Sequence, residues 1–108
     1  MNWESPPPEF QYILFERIEP ELNVARYYYL AFVPTLLGPA VVRLWGRKGC
    51  SQRAATPKPF ASLEEAWPEL RKHIRTRLRR GYCIKEPAAY RGEGDLADDK
   101  TAKATTRR

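Results

Sequence analysis

The stretch Ser62-Leu63-Glu64-Glu65-Ala66-Trp67-Pro68-Glu69-Leu70-Arg71-Lys72-His73-Ile74-Arg75-Thr76-Arg77-Leu78-Arg79-Arg80-Gly81 decides the fold. In it apolar residues recur at helical spacing, and before it they do not. Ser62 and Glu65 make a capping box, the hydroxyl accepting from the Glu65 amide while the carboxylate reaches back. Leu63, Ala66, Trp67, Leu70, Ile74 and Leu78 then form one apolar stripe. Gly81 closes the helix at the position where a left-handed cap needs no Cβ. Pro68 removes the bond to the Glu64 carbonyl in the second turn, which should distort the first turns without breaking the helix.

Residues 10–60 carry the other period. Phe10–Ile18 is rich in aromatic and branched residues and stops before Pro20; Arg26–Val33 is a second such run, closed by Pro34. Gly38-Pro39 turns the chain into a third, Ala40–Arg47. A weaker fourth is expected from about Ser51 to Thr56, and Gly81–Lys85 offers a short final strand. Links this short make antiparallel neighbours. The expected fold is therefore α+β: a small antiparallel sheet of four to five strands with one amphipathic helix on one face.

The ends read differently. Residues 1–9 hold Pro6-Pro7-Pro8, which favours an extended lead-in and cannot join a sheet interior. Residues 88–108 are mostly Ala, Gly, Asp, Lys, Thr and Arg, too poor in apolar surface to offset ordering entropy. The reading is a flexible lead-in over 1–9, one domain over 10–87 and a disordered tail over 88–108.

Composition narrows the function. No apolar run is long enough to span a bilayer, and Met1-Asn2-Trp3-Glu4 lacks a secretory pattern, so neither a membrane nor export is expected. Two cysteines, Cys50 and Cys83, and a single histidine, His73, give no zinc cage, disulfide framework or histidine-based catalysis. Cys50 has no base partner nearby, and no phosphate-binding glycine loop or acid pair occurs. A non-enzyme without metal or cofactor, working in a reducing cytosol, is expected. The charge points to the partner. The net charge is +6; residues 1–9 carry −2 and residues 86–108 balance to zero, so residues 10–85 carry +8. A basic folded core between acidic or neutral ends is the pattern of a polyanion binder.

The third strand concentrates that chemistry. Alternation places Arg43, Trp45 and Arg47 on one face and Val42, Leu44 and Gly46 on the other, which reads as the core side. An indole between two guanidinium groups offers a flat surface for a sugar or base and planar forks for phosphate. The alternative is a core Trp45 with Arg43 and Arg47 on a solvated edge. Gly46 permits close approach of another backbone, and Lys48 and Arg53 extend the basic edge. On the helix, Arg71, Lys72, Arg75, Arg77, Arg79 and Arg80 meet no acid between 71 and 85. Cations in a last helical turn also favour the macrodipole.

Arg43-Leu44-Trp45-Gly46-Arg47-Lys48-Gly49 resembles the signature of the WGR domain. Its companions are an aromatic strand pair before it, Gln52 after it, then Pro59-Phe60, the Ser62–Ala66 helix start and the basic helix end Arg77–Tyr82. The resemblance covers residues 10–85. WGR domains of poly(ADP-ribose) polymerases bind DNA at breaks and relay that contact to a catalytic domain; small bacterial proteins also carry the domain without one, and this chain is similar to the latter. The resemblance implies that Trp45 packs on a terminal sugar, that Arg47 lies at the contact with DNA or a neighbouring domain, and that Gly46 lets the backbone come close. Polymerase members often show Gly-x-x-Gly-Gln where this chain has the shorter Gly49-Cys50-Ser51-Gln52. Pro87-Ala88-Ala89-Tyr90 is similar to a Pro-x-x-Tyr stretch whose tyrosine lies near a 5′ phosphate.

The site expected for nucleic acid, DNA in the first place and duplex ends in particular, is thus Arg43, Trp45, Gly46, Arg47, Lys48, Arg53, Arg75, Arg79 and Arg80. The rival function is a protein-interaction module that docks an acidic partner on the same basic face.

Overall fold

A computed structural model describes residues 2–91. Six strands form one antiparallel sheet: β1 Tyr12–Glu19, β2 Val24–Thr35, β3 Gly38–Arg47, β4 Arg53–Ala54, β5 Lys58–Pro59 and β6 Cys83–Glu86. Their order is β4-β3-β2-β1-β6, with β5 also paired to β3. Of the weak strand expected from about Ser51 to Thr56 only Arg53–Ala54 pairs, as β4, and β5 follows beyond it on the same edge. Leu44 and Trp45 face Ala54 and Arg53, whereas Ala40 and Val41 face Pro59 and Lys58.

The single α-helix of the described residues, α1, runs Leu63–Arg79. The Ser62 hydroxyl accepts from the Glu65 amide at 3.2 Å. At the other end Gly81 takes φ +91°, and the amides of Gly81 and Tyr82 donate to Leu78 and Arg77. That is the double bond of a Schellman cap. Ala66, Trp67, Leu70 and Ile74 are buried against Ile13 and Phe15 of β1, Tyr28 and Leu30 of β2 and Val41 of β3. The stripe departs from expectation in its last turn. Leu78 is 38% exposed, and Arg77 lies over the ring of Tyr28 at 4.5 Å instead. Position 77 falls closer than 78 to the mean direction of the buried residues, so the arginine inherits the inward place.

The chain end expected as a loose lead-in is anchored by one residue. Trp3 is only 9% exposed, and Pro7 is buried too. The Trp67 indole donates to the Trp3 carbonyl at 2.8 Å. Trp3 also meets the edge of Tyr90, whose ring stacks on Phe10. The proline-rich composition carries no such signal, but one indole supplies enough apolar area to hold an extended segment. Tyr90 itself sits in a short 3-10 turn, Ala88–Tyr90; the remainder of the expected tail, 92–108, lies outside the described residues. Trp3→Ala is expected to cost about 2 kcal/mol and lower the melting temperature by on the order of 10 °C. An unchanged thermal melt would show that this segment contributes nothing to stability.

Candidate nucleic-acid interface

Register builds the site. Tyr28 of β2 lies opposite Trp45 of β3, Trp45 lies opposite Arg53 of β4, and Arg26 lies opposite Arg47. Tyr28 belongs to the helix side of the sheet, so Arg43, Trp45 and Arg47 do too. This corrects the expected orientation of β3, which put Val42, Leu44 and Gly46 toward the core. Those three share the uncovered face with Tyr27, Tyr29 and Tyr12. The buried helix-side residue of the strand is Val41, and apolar side chains at both parities make the alternation ambiguous.

Trp45 is half-buried at the rim of the core, its ring within 16° of parallel to Tyr28 at 5.9 Å between centroids. One side of Trp45 therefore packs and the other borders an open cleft. That cleft, about 620 Å³, lies beneath the C-terminal end of α1 and is lined by Arg26, Trp45, Gly46, Arg47, Cys50, Ser51, Arg53, Arg77 and Tyr82. Four arginines line it, and none has a carboxylate partner among the described residues. Arg47 is steadied by donating to the Asn23 carbonyl at 3.0 Å. Arg77 is sandwiched toward Tyr28 and Tyr82, at 4.5 and 5.3 Å, and its Nε is buried without a partner. Cross-strand opposition of Arg26 and Arg47 is unfavourable for folding.

Gly46 explains how the loop after β3 folds back against the strand. A Cβ there would meet the Ser51 carbonyl oxygen at 3.2 Å and the Tyr27 hydroxyl at 3.3 Å. The Tyr27 hydroxyl in turn donates to Gln52 at 3.1 Å. Glycine lets the 48–52 loop fold back tightly, in keeping with the close approach read from the sequence.

The other expected residues scatter. Arg43 is half-buried and donates to the Tyr28 hydroxyl at 3.3 Å, so it braces the aromatic pair. Lys48 is bound to Glu16 on the uncovered side of the sheet, where Lys85 joins it at 3.0 Å. Burial alone would raise the Glu16 carboxyl, but the hydrogen bonds from Lys48 and Lys85 outweigh it and hold the group below its ordinary range. Arg75 pairs with Glu4 at 2.5 Å, and Arg79 lines a separate groove on the outer side of α1. Arg80 is exposed at the C-cap. Tyr90 packs on Phe10 and Trp3 and does not line the cleft. His73 bonds to Glu69 at 2.9 Å, yet burial, with the nearby Arg43 and Lys72, outweighs that bond and lowers its pKa from the ordinary imidazole value.

Arg26, Cys50, Ser51, Arg77 and Tyr82 line the cleft but stand outside the set expected for nucleic acid. Arg26 becomes visible only through the hairpin register that sets it against Arg47. Arg77 was detectable as the helical position nearest the stripe after Ile74.

A six-stranded antiparallel sheet with one α-helix packed against it, and a cleft lined by arginines beside an indole, defines a small α+β domain. The model of the WGR domain family matches residues 12–90, and the chain belongs to that family. The WGR domain is known as a nucleic-acid-binding module in poly(ADP-ribose) polymerases. Comparison with curated proteins and with solved structures gave no significant match in either case.

Proposed function

We propose that this protein is a non-catalytic module that binds DNA through its backbone phosphates in the cleft of Arg26, Arg47, Arg53 and Arg77. Four arginines lining one cleft without carboxylate partners carry this reading. Planar forks suit phosphate oxygens, and the free border of Trp45 suits an exposed sugar or base. The lining holds no carboxylate or imidazole to act as general acid or base, which supports a binding role over a catalytic one. Little base readout is expected, since no polar helix tip projects from the cleft. Two free, exposed thiols fit a reducing, cytoplasmic setting.

Titration of the labelled protein with a short 5′-phosphorylated duplex, followed by NMR, tests the proposal. The Trp45 indole and the amides of residues 46–53 are expected to shift first. A duplex that leaves these signals in place, while an acidic protein moves them, would replace DNA by a protein partner.

A further inference from the structure

On the side of α1 turned away from the sheet, Arg71, Lys72, Arg75 and Arg79 line a groove of about 440 Å³ that shares no residue with the cleft. Arg71, Arg75 and Arg79 are four positions apart, which sets them in one row along the helix. Arg79 and the cleft residue Arg77 are two positions apart, hence on nearly opposite sides of the last turn. A stiff duplex seated on one surface therefore leaves the other open.

The row already holds one anion. Glu4 places one carboxylate oxygen 3.2 Å from Arg71 and the other 2.5 Å from Arg75, and its carbonyl also accepts from Arg71 at 3.3 Å. Trp3, docked on Trp67, fixes this arrangement. Lys72 and Arg79 have no ion-pair partner among the described residues. The groove is otherwise lined by Pro68 and Thr76, with no large apolar side chain. An acidic peptide needs apolar anchors for useful affinity, whereas a phosphate backbone needs only the cations.

We infer that the outer row of α1 is a second phosphate-binding surface, able to hold a second nucleic-acid segment, with Glu4 as its built-in competitor. The inference rests on the cleft being a nucleic-acid site in that it assigns a second segment to the same protein. The experiment uses one short duplex fixed to beads and a second, labelled duplex in solution, with the full chain as the bridge. The wild-type protein is expected to retain the labelled duplex. Lys72→Glu with Arg79→Glu, both exposed, should lose that retention while single-duplex affinity in solution falls only about threefold, as for loss of a screened peripheral charge. Glu4→Gln should increase retention at low salt and steepen its salt dependence by up to about 0.9 in log–log slope.

Unchanged retention in the Lys72/Arg79 variant would overturn the inference. So would retention of poly-glutamate but not duplex by the row, which would make it a protein-docking surface. A variant in the cleft, Arg47→Glu with Arg53→Glu, separates the two readings. If it binds duplex normally while the Lys72/Arg79 variant binds none, the cleft reading fails and the outer row stands. If it binds none and the wild type never bridges, the outer row fails and the cleft stands.

Discussion

Ile74→Asp is expected to leave the protein unfolded. Ile74 is fully buried between α1 and the sheet, with Leu70 one turn before it and Phe15 among the buried residues of the same core. Its loss removes about 3 kcal/mol of packing, and a carboxylate without partners adds several kcal/mol more. Small domains hold only about 5–15 kcal/mol in total. Helical circular dichroism and amide dispersion should both collapse. Leu78→Asp is the control: four residues along the same expected stripe but exposed, it should change stability by no more than about 0.5 kcal/mol. A well-dispersed spectrum from Ile74→Asp would show that the buried face of α1 is elsewhere.

The contrast between Ile74 and Leu78 also shows which features the sequence makes legible. Helix and caps can be read because Ser62, Glu65 and Gly81 act locally, through atoms a few bonds away. The strands of the hairpins can be read because Pro20, Pro34 and Gly38-Pro39 interrupt apolar runs. What depends on register or on distant docking cannot. β3 has Ala40 and Val41 adjacent and both buried, so alternation alone did not tell which parity faces the helix. The same ambiguity hid the place of Trp45, which is neither wholly core nor wholly surface. Arg26 and Arg53 are separated from Trp45 by many residues, and only strand pairing brings them beside it. Trp3 lies beyond three prolines, and nothing local marks it as a core residue or Glu4 as the counter-charge of Arg71 and Arg75.

Charge and stacking in the cleft should leave different signatures, and measuring them separately decides what the Trp-Gly-Arg strand does. If Arg26, Arg47, Arg53 and Arg77 each neutralise one phosphate, the cleft contributes about −3.6 to the slope of log affinity against log salt. Arg47→Ala should flatten the measured slope by about 0.9, and Arg53→Ala by the same amount, with no loss of stability because both side chains are exposed. Arg77→Ala should flatten it equally but also lower the melting temperature, since its guanidinium packs over Tyr28 and Tyr82. Trp45→Ala should weaken binding by about 1–3 kcal/mol with the slope unchanged, because stacking releases no counterions. It should also destabilise the domain by about 2 kcal/mol, as its ring packs beside Tyr28 at the core rim. Affinities must therefore be compared well below each variant's melting temperature. A folded Trp45→Ala protein with wild-type affinity would end the stacking role while leaving the phosphate cleft in place. Arg47→Ala and Arg53→Ala both retaining the full slope would remove the cleft as a nucleic-acid site, and the same unpaired arginines would then be assigned to an acidic protein partner.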